Sequence, residues 1–67
     1  MANKTYLLKS KHSDEYLANT DKGLTLAKKG SIFVLKFQSN DDLDSWKDRL
    51  DEKTKRIISA IFIRYEV

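Results

Sequence analysis

The chain has 67 residues, of which 40% are hydrophobic and 34% charged, a balance that predicts one small folded domain over residues 1–67. It contains no cysteine, which excludes disulfides and a thiolate zinc site and fits a reducing compartment. No uninterrupted apolar run exceeds four residues, which is far too short to span a membrane. We therefore expect a cytoplasmic protein with no membrane partner.

Charge is distributed unevenly along the chain, whose formal net charge is +3. Residues 1–39 carry seven lysines against three acids, and residues 40–52 carry six acids against two bases. Residues 53–67 return to four bases against one acid. A basic–acidic–basic order of this kind predicts surfaces of opposite sign.

Three short strands are predicted in the first half of the chain, over residues 5–10, 15–19 and 24–28, because apolar side chains alternate there. Polar residues 11–14 separate the first two. The cluster at residues 19–23 separates the second and third, since Asn, Asp and Gly tolerate left-handed backbone.

Residues 31–38 predict a fourth strand that is central in the sheet, because they are rich in β-branched and aromatic residues. Apolar side chains occupy both faces of this strand: Phe33, Leu35 and Phe37 on one, and Ile32 and Val34 on the other.

A helix is predicted next, over about residues 40–52. Ser39 or Asn40 is a suitable N-cap, and acidic residues fill the first turn. Leu43, Trp46 and Leu50 are spaced as one apolar stripe.

The C-terminal segment allows two interpretations. Its β-branched and aromatic composition favours a strand over residues 57–67, placed beside the first strand, with residues 53–56 as a loop. Alternatively, residues 53–64 continue the helix, because Ile57, Ile58 and Ile61 keep helical spacing.

These elements predict an α+β fold: a small antiparallel sheet of four to five strands, in the chain order β-β-β-β-α-β, packed on one amphipathic helix. The expected core is formed by Tyr6, Leu24, Leu26, Phe33, Phe37, Ile61 and Trp46.

Catalytic chemistry is not predicted. The single histidine, His12, stands in a polar turn, and two glycines cannot make a phosphate-binding loop. We therefore expect a protein that is not an enzyme, with no catalytic, cofactor-binding or metal-binding residues.

The preferred hypothesis is a non-enzymatic binding module that docks on a larger protein. Its candidate binding residues are Asp44, Asp48 and Asp51 on the helix and Phe62 and Tyr65 on the last strand. The composition resembles that of small accessory proteins of bacteriophages and prophages. Residues 31–50 also resemble the last strand and helix of pleckstrin-homology domains, in which the helix bears a tryptophan. That match covers less than a third of the chain, so no family is assigned.

Two alternative functions remain open. Nucleic acid is the first alternative ligand, bound by basic residues interleaved with the aromatic side chains of Tyr6, Phe33 and Phe37. The candidate residues for it are Lys4, Lys9, Lys11, Lys28, Lys29 and Lys36. The second alternative is a structural role as a self-assembling homo-oligomer that pairs through its last strand.

Overall fold

The computed structural model describes residues 4–67, which form four strands and two helices. In chain order these are β1 (Tyr6–Ser10), β2 (Tyr16–Thr20), β3 (Gly23–Ala27), α1 (Asn40–Asp48), α2 (Glu52–Ile61) and β4 (Phe62–Glu66). The α+β class predicted from the sequence is confirmed. Neither helix is long and apolar enough to cross a membrane.

The four strands form one antiparallel sheet in the order β3-β2-β1-β4. The last strand lies beside the first, as predicted, and Leu7 is paired with Tyr65. Strands β2 and β3 form a tight hairpin in which Thr20 is paired with Gly23. The φ angle of Gly23 is +107°, a conformation that strongly favours glycine, so this residue fixes the turn that starts β3.

The prediction of a strand over residues 31–38 is wrong, because these residues form a turn and isolated bridges instead. Ser31 turns the chain, because its hydroxyl accepts a hydrogen bond from the Phe33 N–H (3.1 Å) and its carbonyl accepts one from the Val34 N–H (3.3 Å). Backbone groups used in this turn are not available to a ladder.

The position predicted for this segment is nevertheless correct, because it lies between two strands of the sheet. The Leu35 N–H donates to the Leu17 carbonyl of β2 (3.1 Å), and the Phe37 N–H donates to the Tyr6 carbonyl of β1 (2.9 Å). Residues 33–37, called here the inserted segment, therefore fill the opening where β1 and β2 diverge.

Helix α1 begins as predicted and ends earlier. The Ser39 hydroxyl caps it by accepting a hydrogen bond from the Asp42 N–H (3.1 Å), which satisfies one of the unpaired groups of the first turn. The helix ends at Asp48 rather than at residue 52, and a second helix starts at Glu52 with Asp51 as its N-cap.

The C-terminal segment contradicts part of both interpretations. Residues 53–56 are helical rather than a loop, and residues 57–61 are helical rather than a strand, whereas residues 62–66 form the strand β4. Thr54, Ile57, Ile58 and Ile61 recur on one face of α2. Burial of Ile58 and partial burial of Thr54 and Ile61 outweigh the β preference of the isoleucines.

The sheet carries a hydrophobic cluster on each face. The helix-side cluster contains the buried residues Leu8, Leu17, Phe37, Leu43 and Ile58, with Tyr6 and Trp46 packed against it. The open-face cluster contains Leu7, Tyr16, Ala18 and Val34.

The predicted core is therefore correct only in part. Phe37 is buried, and Tyr6, Trp46 and Ile61 are half-buried. Leu24, Leu26 and Phe33 were expected in the core but are exposed. The two leucines are exposed because they lie on the edge strand β3, which the helices cover incompletely.

Candidate protein-binding groove

An apolar groove of about 280 Å³ runs between α2 and the edge strand β3. This α2–β3 groove is lined by Leu17, Leu24, Thr25, Leu26, Thr54, Ile57, Ile58 and Phe62. Its walls are almost entirely aliphatic or aromatic, so it suits an apolar ligand surface.

The groove is open because its two walls do not meet. Leu24 and Leu26 stand at i and i+2 on β3 and share the face toward the helices, where each is 41% exposed. Ile57 on α2 is 47% exposed. Three large apolar side chains thus remain accessible together, which is the usual mark of an interaction surface.

The backbone along this edge is also unpaired. In an antiparallel ladder both backbone groups of one residue point to one neighbouring strand, and those of the next residue point to the other. The Asn19 N–H and the Leu17 carbonyl bind the inserted segment, so Ala18 faces β3, where its partner is Thr25. The N–H and carbonyl groups of Leu24 and Leu26 must therefore point outward.

Basic residues flank the two elements that form the groove. Lys22 precedes β3 and Lys28 follows it, while Lys53 lies one helical turn before Ile57 on the same side of α2. All three side chains belong to exposed residues and form no ion pair within residues 4–67. Asp21 and Glu52 directly precede Lys22 and Lys53 in the sequence, and Lys28 lines a shallow depression together with Asp14 and Glu15.

The acidic candidates predicted for the helix lie away from the groove, and two of the three form ion pairs with other residues of the chain. Asp44 forms an ion pair with Arg64 of β4, and Asp48 forms one with Lys55 of α2 (3.3 Å). Asp51 is exposed at the start of α2, and its side chain makes no capping hydrogen bond. The structure does not bring these three carboxylates to the α2–β3 groove.

The two candidates on the last strand are separated by the sheet. Phe62 lines the α2–β3 groove on the helix side. Tyr65 lies on the other face, where its ring meets that of Tyr16 edge-on at 5.5 Å. The ammonium groups of Lys9 and Lys29 stand 5.6 and 5.3 Å from its centroid.

The lysines considered for nucleic acid are scattered. Lys4 pairs with Glu66 (3.5 Å), Lys9 pairs with Asp14 (3.4 Å), and Lys29 is placed over Tyr65. The remaining three, Lys11, Lys28 and Lys36, are exposed and form no ion pair among the described residues.

The aromatic side chains expected beside these lysines are mostly not available for base stacking. Phe37 is buried and Tyr6 is half-buried, which leaves only Phe33 of the three exposed. The structure does not bring the six lysines and three aromatics together as a stacking platform.

Sequence reasoning missed Leu24, Leu26 and Ile57 as surface residues. The alternation of the two leucines indicated a strand with one apolar face, but alternation does not distinguish an edge strand from a central one. The favoured interpretation of the C-terminal segment places Ile57 in a strand, and without α2 the groove lacks one of its walls.

Comparisons of the chain with protein-family models, with curated proteins and with solved structures found no match. Within residues 4–67 there is no group of three or more His, Cys, Asp or Glu side chains arranged to hold a metal ion.

Proposed function

We propose that this protein is a non-enzymatic protein-binding module, a small accessory protein that docks on a larger partner through the α2–β3 groove. The observation that carries the proposal is the coincidence of an apolar groove with an unpaired strand edge. Groove residues include Phe62, which the sequence already indicated as a binding residue.

The partner is a protein whose docking segment is apolar with acidic flanks. The apolar part follows from the aliphatic lining, since displacing water from such side chains favours association. The acidic part follows from Lys22, Lys28 and Lys53, which are exposed and form no ion pair among the described residues. Complementary charge raises the association rate and orients the partner.

Chemistry in the groove is restricted by its lining. Among the described residues that line the groove, Thr54 alone directs a polar side chain toward it, because Thr25 alternates with Leu24 and Leu26 and points to the opposite face of the sheet. Nucleophilic catalysis needs a base within hydrogen-bond reach of the hydroxyl, and no such group lines the groove. This supports binding rather than catalysis as the role of the groove.

Two isoleucines provide a matched pair of variants for the test. Ile57 and Ile63 are each 47% exposed, but Ile57 lines the groove whereas Ile63 pairs with Lys9 on the other side of the sheet. Ile57→Glu and Ile63→Glu therefore add the same charge at equal exposure. Each purified variant is first checked for an unchanged circular dichroism spectrum.

The experiment is affinity capture from a lysate of the source organism with wild type, Ile57→Glu and Ile63→Glu, with and without nuclease. We expect a protein that wild type and Ile63→Glu retain after nuclease treatment and that Ile57→Glu loses. Equal capture by all three proteins contradicts the proposal. Loss of every captured protein on nuclease treatment also contradicts it, and supports the nucleic-acid alternative.

A further inference from the structure

We infer that the docking segment of the partner binds as an added β-strand along the outer edge of β3, with alternate side chains inserted into the α2–β3 groove. This inference rests on the proposed function and specifies the conformation and side-chain pattern of the ligand.

The backbone of β3 determines the conformation. The outward N–H and carbonyl groups of Leu24 and Leu26 have no partner among the backbone hydrogen bonds of the described residues. An extended segment satisfies them by continuing the ladder, as in other complexes formed by strand addition. A helix lying in the groove would cover these groups without forming hydrogen bonds to them, and a buried polar group without a partner opposes binding.

Side-chain geometry determines the sequence pattern. Successive residues of a strand point to opposite faces, so every second side chain of the added strand lies on the helix side, beside Leu24 and Leu26. Those side chains meet Ile57 and extend the helix-side cluster by one strand. The ligand therefore alternates apolar residues, facing the groove, with polar ones.

Charge determines the flanks of the ligand and disfavours a second copy of this chain as the occupant. An added strand ends close to Lys22 and Lys28, which stand at the two ends of β3. Pairing of two β3 edges would bring the lysines of one copy close to the lysines of the other, and like charges in contact oppose association. An acidic residue at each end of the ligand is complementary instead.

The probe is a synthetic peptide in which four valines alternate with threonines and two glutamates stand at each end. A control peptide has the same composition, with its valines moved to helical spacing. Binding is followed by the chemical shifts of the backbone amides of the isotopically labelled chain, and amide hydrogen exchange is measured at peptide saturation.

A strand-specific signature is expected in the exchange rates. In the complex the amides of Leu24 and Leu26 should exchange at roughly one-tenth of their rate in the free protein, or more slowly still, because they become hydrogen-bonded. The Thr25 amide already faces β2, so its exchange rate should change much less. Binding of the helical-spacing control with equal affinity, or no slowing at Leu24 and Leu26, overturns the inference.

Charge-reversal variants test the flanks. Lys22→Glu combined with Lys28→Glu should weaken binding of the valine–threonine peptide about ten-fold, through loss of two exposed ion pairs and new repulsion. Lys11→Glu combined with Lys36→Glu gives the same net charge at exposed sites outside β3 and should change the affinity less than two-fold. Equal weakening by the two double variants contradicts the assignment of the flanks.

The outcomes separate this inference from the proposed function. If the peptide fails to bind while capture of a partner still depends on Ile57, then the groove binds protein but not an added strand. If neither peptide binding nor capture depends on Ile57, both proposals are wrong.

Discussion

Arg64 on β4 contacts Asp44 on α1, although twenty residues separate them in the sequence. The same guanidinium donates a second hydrogen bond to the side-chain oxygen of Asn40 (2.8 Å). These contacts fasten α1 to the edge strand β4 and place a charged side chain along that edge. Charge on an edge strand discourages pairing with other chains, so β4 is better protected than β3.

We expect the Arg64–Asp44 pair to contribute modestly to stability. Both side chains are about half exposed, and exposed pairs contribute about 0.2–1 kcal/mol to the free energy of unfolding. A double-mutant cycle with Arg64→Met and Asp44→Asn, measured by urea unfolding, should give a coupling energy in this range. Because salt screens exposed charges, the coupling should fall at 1 M salt, roughly six to seven times physiological ionic strength. A coupling that persists unchanged at high salt would show that the pair acts through packing.

The two glycines should respond oppositely to substitution by alanine. A Cβ atom would meet nothing within 4 Å at either position, so only the backbone conformation distinguishes them. Gly23→Ala should lower the free energy of unfolding by about 1–3 kcal/mol, since φ at this position is unfavourable for any side chain. Gly30→Ala should leave stability unchanged or raise it by up to about 1 kcal/mol, because the unfolded chain loses entropy. Urea unfolding of both variants measures the difference, and equal losses would contradict this explanation.

Replacement by alanine should destabilise the protein far more at Leu43, in the core, than at Leu24, in the groove. Leu43 is fully buried in the helix-side cluster, and its replacement by alanine should cost about 2–5 kcal/mol. A domain of this size has a net stability of roughly 3–5 kcal/mol, so Leu43→Ala should be largely unfolded by circular dichroism. Leu24→Ala removes a side chain that is 41% exposed, and we expect a loss of only about 1 kcal/mol. Equal destabilisation would mean that the groove belongs to the folded core.

Local signals explain which parts of the fold were predictable. The Ser39 cap, the acidic first turn of α1 and the residues of the turn before β3 each act over a few positions, and each was read correctly. The pairing of β4 with β1 was also predicted. A strand that comes last in the chain can join a small sheet at only a few unpaired edges.

The remaining features depend on contacts that the sequence does not display. Ser31 accepts hydrogen bonds from the Phe33 and Val34 N–H groups, and this turn prevents the start of the regular strand that the β-branched residues favour. Ile57 and Ile58 are helical because α2 packs on the sheet, although their composition indicated a strand. The groove exists because α2 is helical and β3 is an edge strand. A prediction that misses either feature cannot identify the groove.

The inserted segment has a consequence for how the molecule unfolds. Phe37 and Leu35 pack in the helix-side cluster, whereas Val34, in the same segment, belongs to the open-face cluster. Withdrawal of these few residues would break backbone bonds to β1 and β2 and disrupt the packing on both faces together. The two clusters are therefore thermodynamically coupled, and we expect one cooperative transition in place of stepwise loss of either face.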